Sequence, residues 1–313
     1  MYNVLVTHDL PGNYIDSING INIIRRPESE DANAWLLKNI ENADGILITL
    51  NEKIDKNLIN LGKKLKVIST YSVGYDHIDV DYALKKGIKI GYTPEVLTET
   101  TADLIFGIML AAARRIVEGD KIVREDKWKS GWNPEFMLGA EVHGATAGIL
   151  GMGRIGNAIL RRARGFNMDV IYYSRHKRDV DANFMPLDDV LRNSDFLFVC
   201  LDYNKDTYHF MDMPKFKKMK KTAFIINGTR GKVINEKDLI SALNSGIIAG
   251  AALDVFETEP IDNNNPLLKM NNVVLTPHIG SATDNTRKKM AEVAVSNLIN
   301  GLSGKPLIYE IKK

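Results

Sequence analysis

The sequence predicts an α/β chain of two parallel-sheet domains, one inserted into the other. Three observations carry that expectation. The chain has 313 residues, room for about two domains at ~150 residues each. Short runs rich in Val and Ile, bounded by Gly, Asn, Asp or Pro, alternate with helix-like stretches in two successive series, the pattern of βαβ units. Near the middle, a glycine-rich turn lies directly between an expected strand and an expected helix.

In the first series, residues 3–6, 21–24, 45–49, 66–70 and 89–91 read as strands, and 33–42 and 79–86 as helices. Pro94 marks a boundary. Residues 98–113 are apolar nearly all round, as a buried helix is, with Thr98, Glu99, Thr100 and Asp103 supplying helix-start chemistry. Residues 117–145 read as an extended arm with little periodicity. Two of the three tryptophans, Trp128 and Trp132, fall there, an aromatic surface that packs within the chain or on a second subunit. In the second series, strands are expected over 146–150, 169–173, 196–201, 222–227, 250–253 and 272–275, with helices over 154–164, 187–193 and 236–245. A last helix over 284–301 crosses back to the first domain. The first domain is then 1–96 plus 283–313, and the inserted one 97–282.

Composition bounds the function. The net charge is +2, with 44 % hydrophobic and 26 % charged residues, as in an average soluble globular protein. So balanced a charge leaves no electrostatic footprint for a nucleic-acid binder. No apolar run reaches the ~18 residues of a membrane span, and the first residues lack the basic-then-apolar signature of a secretory signal. The single cysteine, Cys200, makes no intramolecular disulfide, which fits a reducing cytoplasm. His8, His77, His143, His176 and His209 lack metal-ligand spacing and read as structural or surface residues, so no metal is expected.

Gly151-Met152-Gly153-Arg154-Ile155-Gly156 is G-x-G-x-x-G in the strand–turn–helix context that gives the motif its meaning. Gly151 permits the tight turn, Gly153 lets the backbone approach a pyrophosphate, and Gly156 allows close helix–strand packing. The helix N-terminus offers free N–H groups and a positive dipole end to phosphates. The inserted domain is therefore expected to be a Rossmann dinucleotide-binding domain. Where an NAD site would usually carry Asp or Glu for the ribose 2′-hydroxyl, this sequence has Ser174 and Arg175, followed by His176, Lys177 and Arg178. Ser and Arg bind a 2′-phosphate that a carboxylate would repel, so NADP is expected over NAD.

Three segments close later strands: 227–231 with Arg230, 254–260 with Glu259, and 275–280 with His278. Open α/β sheets bind ligands at strand C-termini. Arg holds a carboxylate bidentately, His donates a proton near neutral pH, and a neighbouring Glu favours and orients the imidazolium. That is the set needed to reduce a 2-oxo acid by hydride transfer.

Here the chain resembles the D-isomer-specific 2-hydroxyacid dehydrogenases nearly end to end. Ser72-Val73-Gly74-Tyr75-Asp76-His77-Ile78-Asp79 is similar to the family's substrate-carboxylate loop and Thr101-Ala102-Asp103 to the start of its interdomain helix. The glycine turn, Arg230-Gly231, 254–260 and Pro277-His278-Ile279-Gly280 follow in the family's order. Within the family, Lys127 to Pro134 and Tyr173-Ser174-Arg175 resemble the glyoxylate and hydroxypyruvate reductases. The resemblance implies two Rossmann-like domains, the outer one flavodoxin-like. It implies that Arg230 binds the substrate carboxylate and carbonyl, that His278 protonates the carbonyl oxygen, and that Glu259 supports His278. Val73 and Gly74 would hold the carboxylate through their amides, and Trp132 would reach a partner's active site in a homodimer. Asp254 would contact the nicotinamide carboxamide. Thr101, Gly151, Gly153, Arg154, Ile155, Gly156, Ser174, Arg175, Leu201, Thr207, Gly228, Thr229 and Gly280 would complete the cofactor site.

Two positions depart from the family. Thr229 stands where Ala or Ser is usual, and Asp202 where Pro is usual; a carboxylate at Asp202 either opposes a 2′-phosphate or pairs with Arg175. Two other readings compete. A 3-phosphoglycerate dehydrogenase would need added cationic groups near residues 73–75, where no basic cluster stands. A dinucleotide-sensing corepressor would keep the fold and bind without turnover, and no disordered tail for partners is visible. A formate dehydrogenase fits less well, because a 2-oxo-acid carboxylate site is expected to be intact.

Overall fold

The computed structural model describes residues 1–312. The chain divides into two compact units, Met1–Leu97 with the segment from Ser281 onward, and Thr98–Gly280. The first unit runs β1 (Tyr2–Val6), β2 (Ile21–Arg25), α1 (Ala32–Asn39), β3 (Gly45–Ile48), α2 (Lys56–Leu61), β4 (Val67–Thr70), α3 (Val80–Lys85) and β5 (Lys89–Gly91). Its sheet has the order β2-β1-β3-β4-β5, parallel throughout, the flavodoxin-like order. All four residues of β3 and of β4 are buried. Both faces of the sheet are therefore covered, which is why these strands read as continuous apolar runs rather than alternating ones. The three helices start at aspartates whose side chains accept the amides of Ala34, Leu58 and Tyr82, the usual N-cap chemistry.

The second unit runs α4 (Thr98–Ala113), α5 (Ile116–Arg124), β6 (Thr146–Leu150), α6 (Arg154–Gly165), β7 (Asp169–Tyr173), β8 (Asn183–Phe184), α7 (Leu187–Asn193), β9 (Phe196–Val199), α8 (Met213–Phe216), β10 (Phe224–Asn227), α9 (Glu236–Asn244), β11 (Gly250–Leu253) and β12 (Val273–Leu275). The sheet order β12-β11-β10-β9-β6-β7-β8 is the Rossmann order, with one strand added at the far edge. Strand order reverses between β6 and β9, and ligands bind at such a switch point. On β9, Phe196 and Phe198 enter the core shared with Ile105, Phe106 and Ile159. Leu197 and Val199 enter the opposite core with Leu191, Phe216 and Leu239.

The chain then returns through α10 (Asp284–Leu302). Its Ala294, Val295, Leu298 and Leu302 cover Val4, Val6, Leu47 and Val67 of the first sheet. The first unit is thus discontinuous in sequence.

The structure alters the expectation for 117–145. Its first part is not extended: Ile116–Arg124 is the helix α5, which has no buried residue. It starts at Arg115, a left-handed residue with no side-chain cap, so the usual sequence signal for a helix start is missing. The strand expected over 196–201 ends at Val199, which leaves Cys200 and Leu201 in the loop facing the glycine turn. Among the described residues, no helix is long and apolar enough to cross a membrane, and no group of three or more His, Cys, Asp or Glu could hold a metal.

Candidate active site

The glycine turn follows β6 directly. Gly151 has φ +96°, and its amide donates to the Tyr173 carbonyl at 2.8 Å. A Cβ there would lie 2.6 Å from the Cys200 carbonyl oxygen, so both the backbone angle and the close approach require glycine. At Gly156 a Cβ would lie 2.3 Å from the Gly151 carbonyl oxygen, whereas around Gly153 the space is open. Gly153 starts α6 without a side-chain cap, and the first turn holds no acidic residue. The positive end of the α6 dipole is therefore balanced by neither a capping side chain nor a first-turn carboxylate. An open, Cβ-free backbone before an uncapped helix fits a pyrophosphate.

Two loops flank this turn. After β7, the Ser174 hydroxyl donates to the His176 carbonyl at 2.5 Å, and Arg175 is exposed. After β9, the Thr207 hydroxyl donates to the Asp202 carbonyl at 2.6 Å and accepts the Asn204 amide at 2.8 Å. Leu201 packs on the core beneath. Burial pushes the neighbouring Cys200 thiol up to about 12, so it supplies no nucleophilic thiolate near neutral pH.

The catalytic candidates stand at the ends of β10, β11 and β12. Past β10, the buried Asn227 side chain accepts the Thr229 amide at 3.1 Å and donates to the Arg230 carbonyl at 3.0 Å. The Thr229 hydroxyl donates to the Val199 carbonyl at 3.2 Å, so the extra methyl of this threonine sits beside a hydrogen bond between strand ends. At Gly228 a Cβ would lie 2.4 Å from Ile105 of α4, and at Gly231 one would lie 1.9 Å from the Phe256 carbonyl oxygen. Glycine at 231 lets the Arg230 loop lie flat against the loop that carries Glu259.

Past β12, His278 adopts φ +51°, a left-handed conformation costing about 1–3 kcal/mol that persists only when its surroundings impose it. Here Asp254 imposes it. The His278 amide donates to the Asp254 carbonyl at 2.9 Å. One carboxylate oxygen of Asp254 accepts the Thr276 hydroxyl at 2.6 Å and the Ile279 amide at 2.9 Å. The other accepts the Gly280 amide at 2.8 Å. Asp254 is fully buried, and desolvation raises its carboxyl against these bonds and the nearby His278. Thr101 of α4 lines the same spot: a Cβ on Gly280 would lie 3.3 Å from both Thr101 Cγ2 and Asp254 Oδ2. The resemblance gives Asp254 a contact with the nicotinamide carboxamide; in this chain its two oxygens already accept three donors.

Glu259 Oε2 lies 2.7 Å from His278 Nδ1, and its other oxygen accepts the Phe256 amide at 2.9 Å. Desolvation works to raise the Glu259 carboxyl. The His278 hydrogen bond and charge, the Phe256 amide and the Arg230 charge outweigh it and hold the group below its ordinary value. The three candidates are thereby electrostatically joined: Arg230 and His278 both act on one carboxylate. With Nδ1 committed to Glu259, Nε2 is the imidazole nitrogen available to a substrate.

Two of the expected residues belong to the first unit. Val73 and Gly74 lie in the turn after β4, shaped by the Ser72 hydroxyl donating to the Gly74 carbonyl at 2.7 Å. Ser72 in turn lies 2.7 Å from the Thr70 hydroxyl, which meets His77 Nε2 at 3.1 Å. In the second unit, Trp132 is 85 % exposed. Three residues important to the geometry escaped the sequence reading: Asn227, Thr276 and Glu257. Glu257 pairs with His209 at 2.6 Å, tying the 204–210 loop to the loop of Glu259.

A Rossmann sheet, a glycine turn at an uncapped helix, and a histidine–carboxylate pair at neighbouring strand ends define the class: a dinucleotide-dependent oxidoreductase. The comparisons with known proteins narrow it. Residues 106–280 match the family model described as D-isomer specific 2-hydroxyacid dehydrogenase, NAD binding domain. The glyoxylate reductase of Pyrococcus horikoshii is 48 % identical over 280 residues, 87 % of this chain and 84 % of the relative. The crystal structure of a Thermus thermophilus protein superposes with a TM-score of 0.94 at 39 % identity, over 99 % of this chain and 100 % of that one. The NADPH-dependent glyoxylate/hydroxypyruvate reductase of Sinorhizobium meliloti, solved with NADP and malonate, gives 0.90 at 29 % identity, over 99 % and 96 % of the two chains. The chain belongs to the D-isomer specific 2-hydroxyacid dehydrogenase family, near its glyoxylate reductases.

Proposed function

We propose that this protein reduces glyoxylate or hydroxypyruvate to the corresponding 2-hydroxy acid, of D configuration where the product is chiral, with NADPH preferred over NADH. The observation that carries the reading is the His278–Glu259 pair at 2.7 Å, with the Arg230 charge bearing on the same carboxylate. When bound, the reduced nicotinamide supplies a hydride to the carbonyl carbon. His278 gives the proton from Nε2 to the carbonyl oxygen and recovers one from solvent. Glu259 stabilises the imidazolium and fixes the ring. Arg230 grips the carboxylate and polarises the carbonyl.

Gly151, Gly153 and Gly156, with the amides of Arg154 and Ile155, receive the pyrophosphate. Arg175 receives a 2′-phosphate, with Ser174 holding the loop that carries it through its bond to the His176 carbonyl, and Leu201 and Thr207 wall the adenosine side. Thr101, Gly228, Thr229, Asp254 and Gly280 surround the nicotinamide end. The names of the similar proteins support the oxo-acid reading, and the NADP complex of the Sinorhizobium reductase supports the cofactor. We further propose a homodimer in which Trp132 reaches the partner's site. The exposed Ile116, Val117 and Val123 of α5, with Trp128 and Leu138, are the apolar surface such a contact would cover.

The test is His278→Ala, assayed for turnover and titrated with dinucleotide. Turnover should fall by about 10²–10⁴-fold, the usual share of a general acid, with dinucleotide affinity unchanged. Equal loss of both would make the histidine structural.

A further inference from the structure

We propose that Tyr172 is a positioning residue for the basic loop after β7, and that through this loop it sets the choice between dinucleotides with and without a 2′-phosphate. The proposal rests on the reading that this loop receives the adenosine end of the cofactor.

Tyr172 is fully buried on β7. Its ring packs on Phe184, with centroids 5.4 Å apart. Its hydroxyl is spent entirely on Arg178: it accepts the Arg178 amide at 2.7 Å and donates to the Arg178 carbonyl at 3.0 Å. One side chain thus satisfies both backbone groups of a residue six positions further on. The Ser174 hydroxyl closes the near side of the same loop on the His176 carbonyl. Between these two clamps, Arg175, His176, Lys177 and Arg178 are all exposed.

A flexible loop of cationic side chains binds a phosphate poorly, because binding must first order the loop. A loop already closed from beneath avoids most of that cost. The buried ring alone would serve the core equally well as phenylalanine. Only the hydroxyl distinguishes tyrosine here, and its two partners lie in the loop.

Tyr172→Phe removes the clamp and keeps the ring. NADPH and NADH are titrated against the wild-type chain and the variant by nicotinamide fluorescence. The variant should bind NADPH about ten-fold more weakly, as expected for loss of one or two hydrogen bonds, with NADH affinity within about two-fold of wild type. An unchanged NADPH-to-NADH preference, whether neither affinity moves or both fall together, would overturn the proposal. A wild-type chain that does not favour NADPH would instead overturn the underlying cofactor reading. Amide hydrogen exchange on the cofactor-free wild type needs no variant. The Arg178 amide should exchange slowly, and exchange as fast as in an open loop would also overturn the clamp.

Discussion

At the scale of the residue, His278 combines a strained backbone with a paired side chain. Its φ of +51° aims the ring at Glu259, and Glu259 in turn is held in its charged form. A carboxyl whose value is depressed on folding contributes stability above its ordinary value, and that stability is lost as pH falls through the depressed one. Glu259→Gln should therefore melt below wild type at pH 7. The gap should close as pH drops below 4.5, the ordinary value of the group. A gap that stays constant with pH would mean that the charge of Glu259 contributes nothing. Turnover of the variant should fall as well, because glutamine accepts the Nδ1 hydrogen bond but cannot stabilise an imidazolium.

At the scale of the element, the decisive unit is the turn between β12 and α10, built on Asp254 at the end of β11. Asp254→Asn turns one of its oxygens into a donor facing hydroxyl and amide donors from Thr276, Ile279 and Gly280. Urea unfolding should show a loss of about 1.5–3 kcal/mol, the usual worth of a hydrogen bond to a charged group; an unchanged midpoint would show that the turn holds without it. The sequence announced this turn by Pro277 and His278 but not by its support, because Asp254 and Thr276 meet only once β11 and β12 pair. The same limit hid Asn227, whose role depends on how the chain doubles back at Arg230. Local signals sufficed elsewhere. Helix α4 was legible from Thr98 to Ala113, since it is apolar nearly all round, and the glycine turn was legible because strand, turn and helix are contiguous. The two-residue β8 is too short for periodicity to register. Helix α5 was lost among the aromatic residues that follow it, since it has neither a capping side chain nor a buried face.

At the scale of the whole molecule, a net charge of +2 conceals local basic groups, the exposed loop from Arg175 to Arg178 among them. The apolar residues that α5 leaves exposed belong to the same scale. Light scattering should give twice the mass of one chain, and Val123→Asp should shift it toward the monomer; a wild-type monomer would remove any partner role for Trp132. Substrate and cofactor together are settled by nicotinamide oxidation across a panel of oxo acids, each with NADPH and with NADH. Glyoxylate or hydroxypyruvate should be turned over, fastest with NADPH. Turnover of phosphohydroxypyruvate alone, or tight dinucleotide binding with no turnover of any oxo acid, would contradict this reading.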